Sequence, residues 1–129
     1  MEVLLKKLFL TLAVLALPLS SPSNFAVKSA YAATTLAKLG DLSSLRKIVS
    51  DTLSLVNTGD MMGAVKRVTE FETAWDASAA RLKRLDRKTW VKIDEAADVA
   101  LSTVRYSSST AEEKKKDLTD LISVLDNPG

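Results

Sequence analysis

Residues 60–85, DMMGAVKRVTEFETAWDASAARLKRL, decide the fold of this 129-residue chain. Small or apolar side chains recur along this stretch in alternating steps of four and three residues. Such spacing places them on one face of an α-helix and is typical of helices that pack nearly aligned with one another. Asp60 precedes the stripe as a capping residue. We therefore predict a long helix after Asp60 that buries Ala64, Val68, Phe71, Trp75, Ser78, Leu82 and Leu85.

Three further helices follow from the same reasoning, because apolar residues recur at three and four while Gly and Pro fall at connections or ends. Asp41 or Ser43 is predicted to cap the first helix, and Asn57-Thr58-Gly59 to end it. Its predicted buried stripe is Leu42, Leu45, Ile48 or Val49, Thr52, and Leu55 or Val56.

Asp86 is predicted to start the third helix, and Thr110 with Glu113 forms a capping box that starts the fourth. The third helix carries Trp90, Ile93, Ala97, Ala100 or Leu101, and Val104 on one side, and the fourth carries Leu118, Leu121, Ile122 and Leu125. Short connections favour antiparallel neighbours. We predict an all-α fold, an up-down-up-down antiparallel four-helix bundle. A three-helix core with a loosely docked first or last helix is the structural alternative.

The N-terminal segment 1–32 has the pattern of a cleaved signal peptide. Lys6 and Lys7 precede an apolar run over residues 8–19, and Ala30 and Ala32 give the small-residue cleavage pattern. The run is shorter than the roughly twenty apolar residues of a spanning helix, although an earlier cut or a retained anchor stays open. We therefore expect residues 1–32 to be a signal peptide, residues 33–129 to be one helical bundle domain, and the protein to be periplasmic or secreted.

Composition excludes several classes of function for residues 33–129. Segment 1–32 holds three of the 18 basic residues and one of the 16 acidic residues, so the remaining chain is formally neutral. A neutral domain is not expected to bind nucleic acid. The sequence contains neither Cys nor His, which removes disulfides, Ser-His-Asp and Cys-His catalysis, and imidazole zinc sites. We therefore predict a protein that is not an enzyme.

Four acidic residues are candidate ligands for a metal ion. Glu72 and Asp76 stand four apart, as do Asp94 and Asp98, so each pair shares a helix face. Antiparallel pairing about a turn near Asp86 brings the two pairs to a similar level. Oxygen-only ligands select hard divalent cations or ferric iron rather than zinc or copper. The competing interpretation is a set of solvated or salt-bridged surface acids.

Basic residues gather around the predicted turn between the second and third helices. Arg81, Lys83 and Arg84 suit the C-terminal end of a helix dipole. Arg87, Lys88 and Lys92 lie at a helix start, where the dipole disfavours cations. This end is predicted to bind an acidic partner or anionic head groups. The candidate partner-binding residues are Arg81, Arg84, Arg87 and Lys88. Trp75 and Trp90, on the inner stripes beside this turn, are interpreted as core anchors.

Residues 71–105 resemble a known pattern. Phe71-Glu72-x-x-Trp75, then Leu82-Lys83, then Trp90-x-x-Ile93-Asp94-x-Ala96-x-Asp98 is similar to a helical hairpin of exported bacterial proteins and of the extracytoplasmic helical region of some iron permeases. The resemblance implies an extracytoplasmic accessory bundle in which Glu72, Asp76, Asp94 and Asp98 match the acidic positions. The Arg-Glu-x-x-Glu motifs and long hydrophobic spans of a permease are missing from this sequence, so transport is not implied.

Together these observations predict an exported, non-enzymatic helical bundle that binds a protein partner in the cell envelope. The alternative is an accessory protein that binds a hard cation, such as iron, through the four carboxylates. No resident cofactor is expected otherwise, and membrane contact is expected only through the signal peptide or a weak surface contact. A homodimer stays open, because the spacing in the second helix also suits self-association.

Overall fold

The computed structural model describes residues 38–128, which form four α-helices. The helices are α1 (Ser43–Asn57), α2 (Met61–Leu85), α3 (Arg87–Arg105) and α4 (Ala111–Asp126). The predicted signal segment 1–32, with its cleavage residues Ala30 and Ala32, lies outside the described residues. Within residues 38–128, no helix combines the length and apolar character that crossing a membrane requires.

The helices pack as a closed ring, which confirms the predicted four-helix bundle. Helix α1 packs against α2 and α4, and α3 packs against the same two helices. Each connection reverses the chain, so the order is up-down-up-down. Because α1 and α4 contact each other as well as their sequence neighbours, neither is a loosely docked addition to a three-helix core.

The helix boundaries follow the predicted capping chemistry. Asp60 accepts a hydrogen bond from the Gly63 N–H at 2.8 Å, and Asp86 accepts one from the Thr89 N–H at 3.2 Å. At the start of α4 both bonds of the Thr110–Glu113 capping box are present. These bonds satisfy backbone donors that have no partner within the helix.

The first helix begins and ends differently. Its N-cap position is Leu42, which supplies no side-chain bond, and the Asp41 carboxylate instead accepts from the Ser43 N–H at 2.9 Å. It ends through Thr58 and Gly59, and Gly59 adopts a φ of +81°. This left-handed conformation is readily available to glycine, so the predicted stop is confirmed.

The core runs the length of the bundle and draws on all four helices. On α2, five members of the predicted stripe, Ala64, Val68, Phe71, Trp75 and Leu82, are buried. Ser78 is only half-buried, and Leu85 is 53% exposed because the helix ends there, beyond the last packed layer. Leu39 is buried as well, ahead of α1. Among residues 38–128, the core side chains begin at Leu39, so a chain that begins at Ala33 retains all of the described core. The buried apolar residues on the helices are Leu45, Val49, Val56, Ala64, Val68, Phe71, Trp75, Leu82, Ile93, Ala97, Ala100, Leu101, Val104, Leu118, Leu121 and Leu125.

Candidate binding surfaces

The basic cluster lies at one end of the bundle, around the α2–α3 turn. We call it the basic end and define it by six exposed side chains: Lys38, Arg81, Lys83, Arg84, Arg87 and Lys88. The chain also enters the bundle here. A Cβ on Gly40 would lie 3.7 Å from the Arg81 guanidinium, and the charge of Lys38 acts on Asp86. Because α1 begins and α4 finishes at this level, the basic end is opposite the α1–α2 and α3–α4 connections.

Few of these cations have local partners. Lys83 Nζ lies 4.0 Å from the centroid of the Trp90 ring, and Arg84 Nε donates to the Ala80 carbonyl at 3.2 Å. Among residues 38–128, none of the six basic-end cations forms an ion pair with an acid. Exposed cations without ion pairs present their charge to solvent and to any approaching molecule.

Asp86 is the acid at the centre of the basic end, and it already has a structural role. Its carboxylate accepts from the Thr89 N–H and, at 2.9 Å, from the Thr89 hydroxyl. These bonds lower the pKa of Asp86, and the nearby charge of Lys38 adds to the effect. Asp86 is therefore ionised at neutral pH while it caps α3, and it offsets only part of the surrounding positive charge.

Aromatic rings join α2 to α3 directly below the basic end. The Trp75 and Trp90 rings stack with centroids 5.9 Å apart and planes 2° apart, and Phe71 stacks on Trp75 at 6.1 Å. Trp75 Nε1 donates to an Asp94 carboxylate oxygen at 2.8 Å. Trp75 is fully in the core, whereas Trp90 is half-buried at its edge. Both rings therefore act as anchors between the two helices, as predicted.

The four candidate metal ligands lie along the α2–α3 face, but two of them are engaged by other groups. Glu72 is ion-paired with Arg105, and Asp94 accepts the Trp75 indole N–H. The pKa of Asp98 is raised, first by partial burial and then by the negative charges of Asp94, Asp76 and Glu72. The charges of the other three acids therefore act on Asp98. Within residues 38–128, however, no three acidic side chains come close enough together to hold a metal ion.

A second surface lies at the opposite end of the bundle, where α2 begins and α3 ends. There a groove of about 570 Å³ has an apolar lining that includes Met61, Met62, Val65 and Val104. We call it the apolar groove. Met62 is 87% exposed and Val65 37% exposed. This groove was not predictable from the periodic pattern, because Met62 and Val65 fall outside the stripe that predicts burial.

A buried lysine lines the apolar groove, and its burial was not predicted from the sequence. Lys114 is 5% exposed, and its ammonium donates to the carbonyls of Thr103, Val104 and Tyr106 at 2.8, 3.2 and 2.7 Å. Carbonyls at the C-terminal end of a helix have no partner within the helix. Lys114 therefore caps α3 from α4. Because Lys114 stands in the run Lys114-Lys115-Lys116, the sequence does not distinguish it from the two exposed or half-buried lysines that follow it.

Comparison of the chain with protein-family models, with curated protein sequences and with solved structures found no match.

Proposed function

We propose that this protein is an exported, non-enzymatic helical bundle that binds an acidic protein partner in the cell envelope through its basic end. The observation that carries the proposal is the set of six exposed cations without ion pairs among the described residues. Arg81, Arg84, Arg87 and Lys88 are the proposed contact residues, with the stacked Trp75 and Trp90 as the rigid support below them.

The stability of the fold explains only part of this arrangement. Lys83 and Arg84 occupy the last turn of α2, where the helix dipole favours cations. Arg87 and Lys88 occupy the first turn of α3, which contains no acid after the Asp86 cap. Cations there oppose the dipole and repel those at the end of α2. An acidic partner would relieve both unfavourable interactions, and the excess charge would speed its encounter with the bundle.

The test is capture from the envelope fraction, using the chain from Ala33 onward as bait over a series of salt concentrations. We expect wild type to retain a partner at low salt and to lose it as salt rises, because exposed charges are screened. Arg84→Glu with Arg87→Glu should abolish capture. Lys115→Glu with Lys116→Glu makes the same change in net charge near the start of α4, at the opposite end of the bundle, and should not.

Equal loss in both double variants would contradict the proposal, since it would mean that net charge alone decides retention. In a parallel experiment, the same bait protein is mixed with vesicles of anionic phospholipid. Binding of wild type to vesicles, with no protein captured by the basic end, would overturn the assignment of a protein partner.

Hard-cation binding is the second candidate function. The raised pKa of Asp98, caused first by desolvation and then by the negative charges of Asp94, Asp76 and Glu72, is the observation that favours it. The resemblance of residues 71–105 to the helical region of iron permeases supports the same choice. Binding would require Glu72 or Asp94 to leave its present partner.

A thermal melt with Ca²⁺, Mn²⁺ or Fe³⁺ tests the cation candidate. If the site binds the cation, a free cation concentration one hundred times the Kd raises the free energy of unfolding by about 2.7 kcal/mol. That gain should vanish in Asp94→Asn with Asp98→Asn. An unchanged melt across the series would exclude this candidate.

A further inference from the structure

The apolar groove, at the far end of the bundle from the basic end, has the features of a small-molecule site. Its volume of about 570 Å³ falls within the range of about 300–1,000 Å³ that is usual for such sites. Its wall combines the thioether chains of Met61 and Met62 with the aliphatic side chains of Val65 and Val104. Methionine adapts its shape to apolar ligands of different outline. The interior therefore suits a flexible hydrocarbon chain.

The polar groups at this groove select the charge of its occupant. Lys66 lines the groove, is exposed, and forms no ion pair with any acid in residues 38–128. Arg105 lines it as well, with its guanidinium held by Glu72 and by the Thr69 hydroxyl at 3.1 Å. Lys114 contributes no accessible charge because backbone carbonyls surround its ammonium. Lys66 is thus the cation available to an incoming anion.

We propose that the apolar groove binds a single-chain anionic amphiphile of the fatty-acid class. The hydrocarbon chain lies along Met61, Met62 and Val65, and the carboxylate meets the Lys66 ammonium at the rim. A second copy of this chain fits less well. A two-fold contact over the groove would bring the Lys66 residues of both copies together, and like charges at an interface oppose association.

The proposal is tested by equilibrium dialysis of dodecanoate below its micelle concentration, with dodecanol as the uncharged analogue of equal chain length. Measurements use the full chain and the chain from Ala33 onward, which lacks the apolar run of residues 8–19. We expect saturable binding at one site. Lys66→Gln should weaken dodecanoate binding about threefold to fivefold, because it removes the free energy of one exposed ion pair. It should leave dodecanol binding unchanged.

Two matched variants address the hydrocarbon contact. Val65→Asp places a carboxylate in the groove and should weaken binding of both ligands about tenfold or more, because it removes apolar contact and repels the dodecanoate head group. Val99→Asp makes the same change at a 52% exposed position on α3 that does not line the groove, so we expect no effect. Circular dichroism of each variant checks that the helices remain formed.

Three results would overturn the proposal: no saturable dodecanoate binding, equal loss of dodecanoate and dodecanol in Lys66→Gln, or dimerisation that Val65→Asp abolishes while dodecanoate has no effect. The last would assign the groove to a second copy. Arg84→Glu with Arg87→Glu lies at the other end and should leave dodecanoate binding unchanged. Failure at the groove is therefore distinguishable from failure at the basic end.

Discussion

Replacing Lys114 with Met should destabilise this bundle far more than any other exchange in the lysine run. The Lys114 ammonium donates to three carbonyls at the end of α3, at distances from 2.7 to 3.2 Å. Methionine keeps much of the side-chain volume but donates nothing. Hydrogen bonds that involve a charged group contribute about 1.5–3 kcal/mol each, and a buried carbonyl left without a donor costs about 1–3 kcal/mol. Removing the ammonium also recovers the cost of burying its charge.

These opposing contributions give a net loss of about 2–3 kcal/mol in the free energy of unfolding. In a domain of this size that loss lowers Tm by roughly 10–20 °C. Guanidinium denaturation of the chain from Ala33 onward measures it, with Lys115→Met as the matched control. Lys115 makes an exposed ion pair with Glu112 at 3.0 Å, so its replacement should cost less than about 0.5 kcal/mol. Equal losses in the two variants, or a loss below about 1 kcal/mol for Lys114→Met, would refute the capping role.

Three further substitutions should have smaller effects on stability, and each effect can be measured by itself. Trp75→Phe keeps most of the ring stack but removes the bond to Asp94, and should lower the unfolding free energy by about 1 kcal/mol in denaturation experiments. Gly59→Ala should cost about 1 kcal/mol through its positive φ alone, because an added Cβ would meet nothing within 4 Å. Asp98 has a raised pKa, so its ionisation disfavours the folded state once the pH exceeds the unfolded value. Thermal melts of Asp98→Asn should therefore show a higher Tm than wild type at pH 7 and no such advantage near pH 3.

Much of the fold was predictable because local chemistry and tertiary packing agree. The four-and-three spacing on α2 identifies its buried face, and Asp60, Asp86 and the Thr110–Glu113 pair identify three helix starts. The antiparallel register about Asp86 was predictable too, and contacts such as Lys83 with Trp90 and Trp75 with Asp94 follow it. Leu85 was placed wrongly in the core, since periodicity does not reveal where the neighbouring helices end.

The candidate binding surfaces were less predictable, because they depend on contacts between side chains of different helices. Glu72 and Asp94 were candidate metal ligands by spacing, but their partners Arg105 and Trp75 are 33 and 19 residues away in the chain. Lys114 reads as a solvated surface cation in sequence, and only the end of α3 beside it explains its burial. Five of the six basic-end cations were predictable because they are close in sequence as well as in space, whereas Lys38 reaches this end only through the packing of the chain ahead of α1.

The stacked indoles of Trp75 and Trp90 provide an intrinsic optical signal for the unfolding of this protein. The sequence contains two tryptophans, and both belong to the stack that joins α2 to α3, so the indole fluorescence and exciton circular dichroism of the folded protein arise at that contact. Release of α1 or α4 alone would leave the stack in place and affect mainly the far-ultraviolet helix signal. Coincident changes in the two signals during unfolding would identify the four helices as one cooperative unit, and separated changes would show which side of the ring opens first.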